Sequence, residues 1–289
     1  MEIRKAAEMG FCYGVKRAID ILNKAVHQYG PLESLGPVVH NRQVGERLAS
    51  EGIAVVESLG DLRGKVVAIT THGVAPEVIS QMNSRGLQIV DTTCPFVLQA
   101  QRAAKALAEA GFSVIVFGDA SHPEVRGVLG WAKGRGVAAI DCTELASVMP
   151  FRRVGVLSQT TQSPADFASF VKRFIDLTLA DASELRIVNT ICDATSKRQV
   201  AALKLSQEVE LMLVIGGRSS ANTRHLAEIC RNAGVETHHI EISAELDLSW
   251  FAKRSRIGVT AGASTPDEAI DEVIRDLRRF SAGSGAVLS

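Results

Sequence analysis

Short runs of Val, Ile and Leu alternate along the chain with longer segments whose apolar residues recur every three or four positions. The runs at 66–70, 114–117, 154–157, 211–215 and 257–260 have the length and β-branched content of strands. The segments from Val15 to Val26, Phe96 to Ala110 and Thr195 to Val209 have helical spacing. Strand and helix in this alternation predict parallel α/β units. Each strand run empties into a loop of Gly, Ser, Thr and His, and ligands of such sheets collect beyond the carboxyl ends of the strands.

The pattern recurs. Three of the runs end in a polar loop closed by a proline that opens a helix: VVAITTHGVAP to Pro76, VGVLSQTTQSP to Pro164 and IGVTAGASTP to Pro266. Cys12, Cys94 and Cys192 each stand 24 residues before a glycine (Gly36, Gly118, Gly216) and 28 before His40, His122 and Ser220. The chain therefore predicts three pseudo-threefold-related α/β units with mainly parallel sheets. The first spans 13–93, the second 94–191, and the third 192–280 closed by 1–12, with a flexible tail at 281–289.

Composition narrows the class. A chain of 289 residues that is 46% hydrophobic can bury a large core. No run approaches the roughly 18 consecutive apolar residues of a membrane span, and the opening MEIRKAAEMG lacks the apolar centre of a signal peptide. The reading is a cytoplasmic protein with no membrane partner. A formal charge of zero advertises no surface for nucleic acid. Five cysteines without dense pairing argue against a disulfide framework and leave thiols for metal or redox chemistry.

Three related units that each present one thiol at the same place can bring three thiolates to one centre with a position left open. Zinc normally takes four ligands with paired C-x-x-C spacing, which is absent here. A 4Fe-4S cluster on three cysteines leaves one iron able to bind a substrate oxygen. Cys142 and Cys230 match nothing in the repeat and read as small buried hydrophobes. His40, His122 and Ser220 share a repeat position near the thiols. Two residues on stand Arg42, Glu124 and Asn222, which makes Glu124 the single carboxylate there and the candidate proton donor. His72 is matched by Thr160 and by the stretch Gly262 to Ser264. Hydroxyls, amides, imidazoles and helix amino ends suit a phosphate or diphosphate. The chain has no Walker lysine and no G-x-G-x-x-G, so electrons are expected from a separate protein.

These residues sit in GFCYGVKRA around Cys12, VVHNR around His40, THGV around His72, DTTCP around Cys94, SHPEV from Ser121, SQTT around Thr160, NTICDAT around Cys192, GGRSSANT from Gly216 and AGAS ending at Ser264. With these motifs in order from about residue 9 to 270, the chain resembles the 4-hydroxy-3-methylbut-2-enyl diphosphate reductase family of the non-mevalonate isoprenoid pathway. The resemblance implies a trefoil of three α/β units around one 4Fe-4S cluster held by Cys12, Cys94 and Cys192. It assigns His40, His72, Ser220, Asn222 and Ser264 to the diphosphate, with His122 nearby, and Glu124 and Thr160 to the substrate hydroxyl and its proton. The implied reaction is reductive dehydroxylation to isopentenyl and dimethylallyl diphosphates, with the hydroxyl oxygen on the fourth iron. The electrons would come from a ferredoxin or flavodoxin-type donor to a monomer or weak homodimer.

Some positions depart from the family pattern. Phe96 to Gln101 replace a stretch that commonly carries Lys and His, Ser219 stands where Asn is usual, and Ala221 removes a hydroxyl. Altered affinity or donor docking is expected, not a different reaction. Two other readings compete. A three-cysteine cluster enzyme of the quinolinate synthase kind would bind carboxylates and call for Arg or Lys at the site. A non-catalytic iron-sulfur redox sensor would need neither Glu124 nor the Ser and Asn cradle.

Overall fold

The structure is a computed structural model that describes residues 1–284 except 147 and 253, with side chains to 281. Its strands are β1 (Glu2–Lys5), β2 (Leu32–Leu35), β3 (Ile53–Val56), β4 (Val66–Ile69), β5 (Gln88–Asp91), β6 (Ser113–Phe117), β7 (Gly136–Ala139), β8 (Arg153–Ser158), β9 (Glu184–Val188), β10 (Leu211–Ile215), β11 (Glu236–Ile240) and β12 (Arg256–Ala261). The helices are α1 (Tyr13–Tyr29), α2 (Arg42–Ser50), α3 (Pro76–Ser84), α4 (Pro95–Glu109), α5 (Pro123–Trp131), α6 (Pro164–Thr178), α7 (Asp193–Ser206), α8 (Ala221–Asn232) and α9 (Asp267–Ser284). The last helix thus covers 281–284 of the expected tail, and 285–289 lie outside the described residues.

The strands form three four-stranded sheets, ordered β3-β2-β4-β5, β7-β6-β8-β9 and β11-β10-β12-β1, with every pairing parallel. The α/β class and the three similar units are as the alternation predicts. The first residues complete the third sheet, Glu2 pairing with Arg256 and Lys5 with Val259. By internal packing the chain divides into two compact units. One comprises 1–15, 39–47 and 193 onward and holds the third sheet; the other comprises 16–38 and 48–192 and holds the first two.

Crossover helices cover both faces of parallel sheets, so their inner strands read as unbroken apolar runs. LMLVI of β10 is buried along its whole length. Successive side chains point to opposite faces. Leu211, Leu213 and Ile215 meet Val273 and Leu277 of α9, while Met212 and Val214 meet Ala202 of α7 and Leu226 of α8. In β6 the same alternation sends Val114 and Val116 to Ala100 and Ala104, and Ile115 and Phe117 to Phe167, Phe170 and Phe174. Each buried Val, Leu, Ile, Met or Phe side chain among these contributes about 1.5–3 kcal/mol by burial.

This topology positions the functional loops. In the first two sheets the chain leaves one inner strand toward one edge and the other inner strand toward the opposite edge, and in the third the inner strands β10 and β12 are flanked by β11 and by β1 from the start of the chain; the crevice between the inner strands is where α/β sheets bind ligands. Gly36, Gly118 and Gly216 follow the first inner strands, and Thr70, Gln159 and Gly262 follow the second. The fourth strand of each sheet, β5, β9 or β1, leads to Cys94, Cys192 or Cys12.

Candidate functional site

Each of the three cysteines occupies a strand-to-helix junction, ahead of α1, α4 or α7, and each is half-buried. Their backbone N–H groups make one repeated bond: Cys12 donates to the carbonyl of Ala263, Cys94 to that of Thr71 and Cys192 to that of Thr160, all at 3.0 Å. Two junctions are also built alike. Asp91 Oδ1 accepts from the Thr93 N–H at 2.8 Å and Asn189 Oδ1 from the Ile191 N–H at 3.1 Å. The hydroxyls of Thr92 and Thr190 donate to the carbonyls of Ile69 and Ser158. Cys94 is the N-cap of α4 with no side-chain capping bond, and a helix amino end lowers thiol pKa and favours an anionic sulfur.

The other two thiols differ. Cys142 and Cys230 are buried. Desolvation, and secondarily Asp141, pushes Cys142 up, and desolvation pushes Cys230 up to about 12. They are poor thiolates and poor ligands, as their sequence context suggests. The donor set that fits a cluster is therefore three half-buried sulfurs at helix amino ends.

The repeated cysteine bonds correct the alignment of the proline-closed loops. Thr71, Thr160 and Ala263 are equivalent, so His72 matches Thr161 and Ser264 rather than Thr160. The turns agree: Gly73 donates to Thr70, Gln162 to Gln159 and Thr265 to Gly262. A second offset lies in the first unit. His122 and Ser220 are N-caps of α5 and α8, whereas α2 is capped by Asn41, whose Oδ1 accepts from the Val44 N–H at 3.1 Å. The loop from Gly36 to its cap is one residue longer than in the other units, so His40 precedes the cap and Arg42 is not the counterpart of Glu124. Arg42 is exposed and reaches Glu46 at 3.7 Å.

In the unit that holds the first two sheets, four predicted residues assemble in two contacts. His72 and His122 meet edge to face with ring centroids 5.5 Å apart. Glu124 is 3% exposed, and both carboxyl oxygens are held by one residue, Oε1 by the Thr160 N–H at 2.7 Å and Oε2 by the Thr160 hydroxyl at 2.9 Å. Desolvation raises the Glu124 pKa, and the two Thr160 bonds oppose it. The Glu124 N–H donates to His122 Nδ1 at 3.2 Å, which leaves the His122 proton on Nε2. The Thr70 hydroxyl contacts His72 Nδ1 at 3.2 Å.

In the unit that holds the third sheet, the loop after β10 lies against His40. A Cβ on Gly217 would stand 2.2 Å from the His40 carbonyl oxygen. Gly217→Ala is expected to destabilise the fold by about 1–3 kcal/mol, as overpacking does; an unchanged melting temperature would show that the loop can shift. The Ser264 hydroxyl donates to the same carbonyl at 3.4 Å, and the Ser220 hydroxyl caps α8 by accepting from the Thr223 N–H at 3.4 Å. Burial lowers the His40 pKa first, and the Arg224 cation lowers it further. His40 is thus neutral at pH 7, a donor or acceptor and not a cation. Arg224 was not among the residues singled out in the sequence, where it reads as one more exposed charge on α8.

Asn222 is 4% exposed, and both atoms of its amide lack a hydrogen-bond partner. A buried amide left so carries a desolvation penalty that a bound polar group relieves. Asn222→Ala is expected to raise KM for a diphosphate substrate by about 10–100-fold, as loss of a hydrogen bond to a charged group does. The melting temperature of the ligand-free protein should not fall. An unchanged KM would remove Asn222 from the binding site.

Residues 3–278 match the family model described as LytB protein. The chain is 50% identical over 285 residues to 4-hydroxy-3-methylbut-2-enyl diphosphate reductase of Dehalococcoides mccartyi strain CBDB1, covering 98% of this chain and 100% of that one. It is 44% identical over 281 residues to the protein of the same name from Geobacter sulfurreducens, covering 97% and 98%. A solved structure of (E)-4-hydroxy-3-methyl-but-2-enyl diphosphate reductase, described as the terminal enzyme of the non-mevalonate pathway, aligns with TM-score 0.70 and 34% identity over 96% of this chain and 100% of that one. The Plasmodium falciparum E-1-hydroxy-2-methyl-but-2-enyl-4-diphosphate reductase shares the fold, with TM-score 0.89 and 24% identity over 95% and 87%.

Proposed function

The chain belongs to the LytB protein family, and from that premise we propose that it is a 4-hydroxy-3-methylbut-2-enyl diphosphate reductase acting in the non-mevalonate pathway. The reaction removes the allylic hydroxyl as water with two electrons and two protons, and leaves isopentenyl or dimethylallyl diphosphate. Cys12, Cys94 and Cys192 would hold one 4Fe-4S cluster. Their matching junctions support this, as does the contrast with Cys142 and Cys230. When bound, such a cluster supplies electrons one at a time and a Lewis-acidic iron without a protein ligand.

The observation that carries the reading is the buried Glu124 held by Thr160. Burial raises the pKa of this carboxyl, so it holds its proton to higher pH than an exposed carboxyl and can deliver it to a departing oxygen. Thr160 fixes both oxygens of that carboxyl, so its hydroxyl and the acid act at one point. His122, whose Nδ1 is occupied by the Glu124 N–H, presents a neutral Nε2–H donor.

The diphosphate falls to His40, His72, Ser220, Asn222 and Ser264. The unsatisfied Asn222 amide, the α8 amino end behind Ser220 and the neutral His40 favour an oxyanion-rich ligand. Ala221 offers no hydroxyl on that turn. Arg224 adds positive potential near His40.

A ferredoxin or flavodoxin-type protein would supply the electrons to a cytoplasmic monomer or weak homodimer. No described helix is long and apolar enough to cross a membrane. Iron and acid-labile sulfide in anaerobically purified protein test the cluster. About four of each per chain are expected, and stoichiometric zinc without sulfide would overturn the assignment.

A further inference from the structure

Arg198 is 4% exposed on α7, yet among the described residues no carboxylate meets it. Its partners are two backbone carbonyls: Nη1 donates to Ala194 at 2.9 Å and Nη2 to Gly10 at 2.8 Å. Its Nε is buried with no partner at all. The neighbouring acids are engaged or exposed. Asp193 pairs with Lys197 at 3.1 Å, and Asp267 is exposed at the start of α9. A guanidinium does not lose its charge in a protein, and a buried charge is ordinarily paired or bound to a ligand. Arg198 is therefore a buried positive charge with a donor, Nε, still to be used.

The geometry indicates where that charge acts. Side chains on a helix lean toward its amino end, and the bond to Ala194 turns Arg198 that way, toward the end preceded by Cys192. The second bond fastens Arg198 to Gly10, two residues before Cys12. Gly10 has φ 77, and a Cβ there would stand 2.9 Å from Asp267 Oδ1, so only glycine suits this turn. The Asx residues that brace the other junctions, Asp91 and Asn189, have no counterpart here; Arg198 and Gly10 do their work. The one Arg or Lys buried in this way among the described residues is thus tied to the segment that delivers one thiol and rises from the helix that follows another.

We propose that Arg198 is the buried counter-cation of the iron-sulfur centre: it positions the Cys12 segment through Gly10 and stabilises the reduced form of the cluster relative to the oxidised form. This rests on the cluster assignment above. The step concerned is the uptake of one electron by the centre from the external donor, with no bond made or broken. A fixed positive charge lowers the free energy of the state that carries one more negative charge, so its removal makes reduction harder. In the protein without a cluster the same charge has no anion and costs stability.

The test uses the full chain with Arg198→Met and Arg198→Lys, reconstituted anaerobically, with iron and sulfide counted and the midpoint potential read by reductive titration followed by electron paramagnetic resonance. Arg198→Met is expected to shift the ratio of reduced to oxidised cluster about tenfold toward oxidised at a fixed potential, equivalent to about 59 mV for one electron. Arg198→Lys should recover most of that shift, because it keeps the charge and loses only the fork. Without a cluster, Arg198→Met should melt no lower than the native chain. If only Arg198→Lys of the two loads iron, the requirement for charge is supported directly.

An unchanged potential in a fully loaded Arg198→Met would overturn the proposal. So would equal losses of melting temperature with and without the cluster, or failure of both variants to load while their apo forms melt normally. A native chain that takes up no iron and sulfide would overturn the cluster assignment itself, whereas a loaded native chain with indifferent variants would overturn only the role of Arg198.

Discussion

Glu124→Gln is expected to lower turnover by about 10²–10⁴-fold, the range supplied by a positioned general acid, while leaving the fold at least as stable near neutral pH. Gln keeps the shape and can still accept from the Thr160 N–H, but it has no proton to deliver. The stability claim follows from the raised pKa, caused by desolvation and only partly offset by the two Thr160 bonds. A carboxyl whose folded pKa lies above its unfolded value of about 4.3 favours the fold fully below that value and loses the contribution as pH rises through the folded pKa. Gln does not titrate. The native chain should therefore lose ground to Glu124→Gln as pH rises, and the difference should shrink in acid. Turnover of the native enzyme should fall over the same rise in pH, as the acid form is depleted. Melting curves and kcat from acid to mild alkali check both. A variant that turns over normally, or that melts below the native chain at every pH, would contradict the role given to this carboxyl.

Loss of one junction cysteine should have the other large effect. Changes to groups that only hydrogen-bond a metal ligand already cost about 10–100-fold in affinity or activity. Removal of a ligand, as in Cys94→Ala, is expected to exceed that and to take iron and sulfide below one cluster per chain. Cys142→Ala and Cys230→Ala serve as controls. Both thiols are buried with raised pKa values, so these changes should keep the iron and cost only the stability of a small cavity, about 1 kcal/mol. Iron and sulfide counts for the three variants decide the matter. Equal iron loss in all three would mean that the cysteines do not divide into ligands and core residues.

The matching junctions of Cys12, Cys94 and Cys192 were legible in the sequence because they depend on register, and register survives where strands and helices are matched. The inner strands were legible for a related reason: LMLVI or VGVLS, covered on both faces, must be apolar throughout. Strands outside that condition were not. EIRK of β1 and ETHHI of β11 lie at sheet edges with one side solvated, and a run of charges and imidazoles carries no strand signal. LESL of β2 is an inner strand yet places Ser34 in the core, where its hydroxyl donates to the Gly36 carbonyl at 2.7 Å.

Loop chemistry was legible to within one residue. Counting from Cys12 puts His40 beside His122, but an extra residue after Gly36 makes Asn41 the cap. Counting from the prolines puts Thr160 beside His72, and only the backbone bonds show that Thr161 holds that place. Single-residue insertions in polar loops leave hydrophobic periodicity unchanged, so periodicity cannot detect them. Arg198 had a signal that composition hides: it shares a buried face of α7 with Thr195, Ala202 and Leu205, and a charge on a buried stripe asks for a partner.

The most direct measurement is product analysis after anaerobic reconstitution, with 4-hydroxy-3-methylbut-2-enyl diphosphate and a chemical reductant in place of the protein donor. Consumption of the substrate with formation of isopentenyl and dimethylallyl diphosphates is the expected result, together with a change in the cluster spectrum on substrate addition. A chain that carries about four irons and four sulfides yet neither consumes this substrate nor changes its spectrum in its presence would contradict the assignment.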